Sequence, residues 1–440
     1  MLQLTTSIAS LLCISSSWLL ILASCSRFGT ESFGTTMLWR VTLQRRQGKL
    51  PLAIESIDDR NCRLPRVVIR EGKFSNLSWK SSRTPVSLLR LYRSMMEAFV
   101  RQQNRRRFLE KHFDYLALVP AAAAICYPFL LNAFHAIVGT QAVSPPPLAI
   151  ASATFILVVA FVVPFLGIAL ACRPTSNPGS RRLAYASVVS PTLYVFLGVV
   201  QTLIKSPISD EVVWCAIWLA IAIWSQSARD PVAAAVPALG GWRVVHGVTA
   251  AVLSLYVVFH LTNHLFGLIG PDAHAAVMKI GRVVYRSAVG EPLLVAAMLF
   301  QIGTGLFLAW RWSAAAHDFQ RTYQVASGTY LSVYILGHMN SVFVYARSFL
   351  GIPTDWNFAI GAPTGLIHDA WNIRLLPHYA LGAFFVLSHL ASGLRVVLIA
   401  HGVDQRNADR LWGVCVAMSA IVGAAIIAGM SGIRIGALAW

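Results

Sequence analysis

Charge is scarce in this chain. Only 12% of its 440 residues are Asp, Glu, Lys or Arg, against about 25% in an ordinary soluble domain. A sequence that is 56% hydrophobic and so poor in charge cannot cover a water-facing surface, so it reads as a polytopic membrane protein. Acidic residues are scarcer still, 18 against 36 basic ones. The basic residues crowd into the first 114 positions and the short links between apolar segments, where the positive-inside rule places them, so the charge reports orientation and not nucleic-acid binding. The seven cysteines stand singly. The lack of any C-x-x-C or C-x-x-C-H argues against zinc, iron–sulfur ligation or covalent c-type haem. No flavin, nicotinamide or iron–sulfur motif is present, which excludes oxidation of a soluble substrate by this chain alone.

Nine apolar stretches of bilayer length follow the basic N-terminal region, at about 115–137, 147–171, 183–204, 211–227, 243–269, 291–310, 324–350, 378–400 and 411–430. Residues 1–26 are apolar and end in Cys25, but no Lys or Arg precedes them, so the basic start of a secretory signal is missing. Residues 27–114 are Arg-rich and show no clear period; Met95 and Met96, just ahead of the 101–107 run RQQNRRR, suggest an internal start. The expected architecture is therefore all-α. It comprises a poorly ordered region 1–114, a four-helix transmembrane module 115–232 and a five-helix module 233–440, with Pro231 and Pro237 at the break. Loops carrying Arg173, Arg181 and Arg182, then Arg229, then Arg311 and Arg321, then Arg406 and Arg410, fall on the side of the 101–111 basic run. That side is cytoplasmic, and the C-terminus is outside. The loop 270–290, with Lys279, Arg282 and Arg286, breaks the pattern.

Polar side chains that coordinate or ionise are costly inside a bilayer, which makes them functional candidates. The second module concentrates them: His246, His260 and His264, then Gln301, then His338, then His378 and His389. His260 follows Arg243 by 17 residues and His338 follows Arg321 by 17, so at about 1.5 Å per residue both imidazoles lie roughly 25 Å along their helices, at one depth. Two imidazoles at one depth on neighbouring helices suit the axial positions of one non-covalent haem b. Bis-imidazole iron has no open position, so such a haem carries electrons and does not bind oxygen.

The runs RVVHGVTAAVLSLYVVFHLTNHL, LFQIGTGLFLAW, YILGHMNSVF and FVLSHLASGLR, within 243–430, resemble the five-helix cytochrome b membrane anchor of succinate:quinone oxidoreductases and fumarate reductases. The resemblance implies an outer haem pair at His260 and His338 and an inner pair at Gln301 and His389, with quinone and a redox protein as partners. Gln301 departs from the pattern because an amide is a poor iron ligand. The expectation is one haem, with Gln301 and His389 hydrogen-bonded in a degenerate second site. Arg282, Arg286 and Arg347 are candidates for its propionates or for lipid headgroups, and His264, one turn after His260, for the pocket wall. Glu291, next to Pro292, reads as a helix start. The loop 351–377, with TDWNFA, GAPTG and HDAWNIRLLPH, does not resemble those anchors. With YLSVYILGHMNSVFVYARS it is more similar to a stand-alone haem-anchor-like group that includes a fungal mitochondrial outer-membrane protein of lipid homeostasis. That similarity implies the alternative role of a non-catalytic scaffold in lipid homeostasis or membrane contact. The orientation pattern favours a bacterial inner membrane, with a mitochondrial membrane as the alternative.

Overall fold

The structure is a computed structural model describing residues 52–57, 66–71, 115–139, 146–173, 177–227 and 240–435. The apolar start, the basic run at 101–107, the internal-start methionines and the Pro231–Pro237 break lie outside the described residues.

The chain divides into two compact units, one holding residues 30–114 and the other 115–440 with 1–29. In the first, β1 (Leu52–Ile57) pairs antiparallel with β2 (Arg66–Glu71), Leu52 opposite Glu71 and Ile57 opposite Arg66. Their sequences, LAIESI and RVVIRE, carry the β-branched residues that favour a pleated strand. Sequence reading found no period in these runs, each only six residues long.

Every element described in the second unit is helical. Helices α1 (Val119–Val138), α2 (Pro147–Ala171), α3 (Pro178–Val188), α4 (Ser190–Leu203) and α5 (Asp210–Ser227) come first. They are followed by α6 (Gly240–Leu265), α7 (Pro271–Tyr285), α8 (Gly290–Trp312), α9 (Phe319–Met339), α10 (Trp356–Ile360), α11 (Leu375–Ala400) and α12 (Gln405–Met430). Prolines open α1, α2 and α3, where a missing N–H costs nothing. Side chains cap others: Asp318 accepts the Arg321 amide at 2.7 Å to start α9, and Asp404 accepts from Arg406 and Asn407 to start α12.

Among the described residues six helices are long and apolar enough to cross a membrane, seven if the bent pair α3–α4 is one span. That is the make-up of an integral membrane protein. The expected span at 183–204 is instead two helices meeting at 68°. Pro191 has no N–H for the turn behind it, and the Ser190 hydroxyl donates to the Ser187 carbonyl at 2.8 Å, so the bend is local chemistry. Helices form at 210–227 and 319–339 as expected but do not reach the same apolar length. Beyond Met339 the chain continues α9 as a wider, π-type helix over Asn340–Leu350, stopped by Gly351 in the left-handed region. The exceptional basic loop is largely helix: α7 buries His274, Met278 and Gly281 while Ile280, Val283 and Val284 face outward.

Helix α9 runs through the middle of the unit. It touches α3, α4, α8 and α11, and α11 pairs along its length with α12. The main core joins both parts of the sequence, with Tyr127, Phe161 and Phe165 from α1 and α2 in one cluster with Tyr323, Tyr330, Phe384 and Phe385. By contrast α6 and α8 leave Val244, Val248, Leu255, Leu293 and Leu299 outward.

An ion pair ties the two parts. Arg374, 6% exposed, donates to Asp210 at 2.6 Å and lies over the rings of Tyr194 and Trp371, while Gln201 donates to the other Asp210 oxygen at 2.8 Å. Removing one partner of such a pair leaves a buried charge alone, at a cost of about 3 kcal/mol or more. Asp210→Asn is expected to lower the thermal midpoint in detergent, and Asp210→Leu combined with Arg374→Met to recover most of the loss; equal midpoints for wild type and Asp210→Asn would show the pair to be dispensable.

Candidate functional site

A cavity of about 1420 Å3 lies among α6, α8, α9, α11 and α12. Seven histidines (His246, His260, His264, His274, His338, His389 and His401) and Gln301 are on its wall. The rest of the wall is mainly aliphatic.

Toward one end, His260 from α6 and His338 from α9 stand with ring centroids 6.0 Å apart. An iron bound by both would sit about 2 Å from each nitrogen, itself about 1 Å from its ring centre, which gives a centroid separation of about 6 Å. Each ring is held by a tyrosine one turn earlier on its own helix. Tyr256 stacks on His260 at 5.5 Å, and Tyr334 on His338 at 5.8 Å with the planes 8° apart. Tyr334 in turn is wedged against α11, where a side chain at Gly382 would come within 2.3 Å of its ring. The signal was in the sequence, Y-x-x-x-H in both helices, because residues four apart share a face.

The other residues at this end build the wall outward. The His264 ring is 4.8 Å from His260 and 5.3 Å from His274, with its buried Nδ1 unpartnered. Asn263 donates to His274 Nε2 at 3.2 Å. His378, a buried residue at the start of α11, lies 4.5 Å from Tyr334. At the mouth, Arg282 donates to the Thr354 carbonyl at 2.9 Å and Arg286 to the Thr354 hydroxyl. Arg347 pairs with Glu291, which occupies the first turn of α8. All four charged residues line the cavity, and the Arg282 Nε is buried without a partner. A ring-shaped cofactor with two carboxylates would meet guanidinium groups there.

Toward the other end the expected contact between Gln301 and His389 is absent. Gln301 reaches His246 instead, amide nitrogen to Nε2 at 3.0 Å, and His389 Nδ1 faces the Ser327 hydroxyl at 2.9 Å. The reason is position along the helices: Gln301 lies one turn from Thr304, and both meet the same His246 ring on α6, whereas His389 lies against α9. His246 was among the polar residues noted in the sequence but was given no place in a site; nothing in the linear pattern paired it with α8.

Among the described residues no three His, Cys, Asp or Glu side chains are grouped to hold a metal ion. A haem iron asks the protein for only two, since its porphyrin supplies four nitrogens. The residues at His260 and His338 therefore fit haem by spacing, by cavity size and by the cations at the mouth. No protein-family model, curated protein or solved structure matches this chain.

Outside the spans, burial holds the His274 pKa down from 6.5 to about 4, with Arg282 adding to the effect. His274 is thus neutral at pH 7. The unfolded chain binds this proton more readily, so this residue's contribution to stability is full above about pH 6.5 and declines as pH falls toward 4. His274→Gln is expected to flatten that decline in a melting series from pH 7 to pH 4; identical slopes for variant and wild type would contradict the assignment.

Proposed function

We propose that this chain is an integral membrane b-type cytochrome-like protein that binds haem b between His260 and His338 and passes single electrons. The observation that supports this most is the pair of imidazoles 6.0 Å apart, each stacked on its own tyrosine, inside a cavity of about 1420 Å3. Haem held by two imidazoles supplies one-electron chemistry between ferric and ferrous iron. The chain's own residues do the rest. His260 and His338 would hold the haem iron, with Tyr256 and Tyr334 stacked on their rings. Arg282 and Arg286, which donate to Thr354, would bind the propionates, while Arg347 is paired with Glu291.

The aliphatic walls keep water away, which favours the less charged ferrous state. Donor and acceptor come from outside this chain: a membrane quinone, or a redox protein reached at the mouth by the exposed edge of α7. Membrane lipid covers the outward faces of α6 and α8, where Val244, Val248, Leu255 and Leu293 are exposed.

Substitution separates a haem site from a scaffold. His338→Ala and His260→Ala are each expected to open the sixth position or to lose the haem, read as carbon monoxide binding to the reduced protein, which wild type does not show. Carbon monoxide binding by wild type, or no change in either variant, would overturn the ligand assignment.

A further inference from the structure

His338 and Arg347 line the same cavity although nine residues separate them along one helical run. In an α-helix, at about 100° per residue, that spacing puts two side chains on opposite faces. The π-type winding of Asn340–Leu350 removes the conflict. At about 4.4 residues per turn, it brings Arg347 back to within roughly 60° of His338. The other wall residues of the segment, Val342 and Phe343, keep the same rhythm. Within it the Ser348 hydroxyl donates to the Phe343 carbonyl at 2.8 Å, five residues back, which is the bond spacing of such a helix. π-type stretches are rare and gather at functional positions, so a run of 11 residues asks for a use.

The use is at the mouth. Both terminal nitrogens of Arg347 donate to Glu291, one to each carboxylate oxygen, the second at 3.3 Å. The guanidinium also lies over Phe343, 5.1 Å from the ring centre. Glu291 stands in the first turn of α8, where the helix dipole favours a carboxylate. The pair therefore joins two elements 56 residues apart across the opening: α8 on one side and, on the other, the π-type helix, which packs on α4 behind it. Arg282 and Arg286 on α7 are held separately, through Thr354. The paired side chains are 34% and 24% exposed, so water competes for both and the pair opens at small cost.

We infer that the Arg347–Glu291 pair is a latch on the mouth of the cavity, set in place by the π-type helix, and that it controls how fast haem enters and leaves. This rests on the reading of His260 and His338 as the haem site. Closed, the pair holds the start of α8 to the end of the helical run that carries His338. Open, it frees both edges of the mouth. The latch acts on exchange and leaves the iron ligands as they are.

Haem transfer from the full chain, loaded and purified in detergent, to excess apomyoglobin reads the exit rate. Glu291→Gln and Arg347→Met are each expected to speed exit about twofold to fivefold, with the starting spectrum unchanged. The double variant should be no faster than either single one, because the same latch is lost. Glu291→Gln keeps the shape of the side chain and decides the matter should Arg347→Met fail to fold. In the haem-free protein, amide exchange over 340–350 should rise in both variants. Equal exit rates in wild type and both variants would overturn the latch, whatever the exchange shows. Faster exit in Arg347→Met alone would overturn it too, by assigning the guanidinium to a propionate. Either result leaves the haem site standing, whereas a wild type without haem would overturn both.

Discussion

Hydrocarbon offers no hydrogen bonds, so a polar side chain inside the bundle is costly unless another protein group meets it. The arrangement of this protein follows from that requirement. Thr304 and Gln301 on α8 exist as partners for His246 on α6, and Ser327 on α9 as the partner for His389 on α11. These contacts cross the cavity walls at one end; ring stacking on Tyr256 and Tyr334 holds the histidines at the other. The rest of the wall is mainly aliphatic.

The first five helices supply a rigid backing. Tyr127, Tyr194, Trp214 and Trp218 stack in edge-on pairs, and Tyr330 of α9 is fully buried in the same cluster as Tyr127. Through α9 this packing reaches Tyr334 and so His338. The Asp210–Arg374 pair fastens α5 to the turn before α11. A wall so anchored on one side faces α6 and α8, which touch few neighbours and present bare aliphatic faces outward. The cavity thus has one side backed by the first five helices and one side walled by helices whose outer aliphatic faces are exposed.

Much of this was legible in the sequence because bilayer length and polar exceptions are strong signals. The helices at 119–138, 147–171, 240–265, 290–312 and 375–400 stand where apolar runs placed them, and equal spacing from Arg243 and Arg321 brought His260 and His338 to one another. What the sequence concealed depends on rotation and local bonding. The bend before Pro191 came from serine hydroxyls, and the pairing of Gln301 with His246 in place of His389 depended on which face α8 turns to α6. The strands at 52–57 and 66–71 were too short to show a period.

The central claim is that this histidine-lined cavity holds haem. A dithionite-reduced minus oxidised optical spectrum of the full chain, purified in detergent after expression with ample haem, tests it most directly. The account predicts the sharp low-spin signature of a b-type cytochrome; a protein that folds, survives purification and shows no haem absorbance would contradict it.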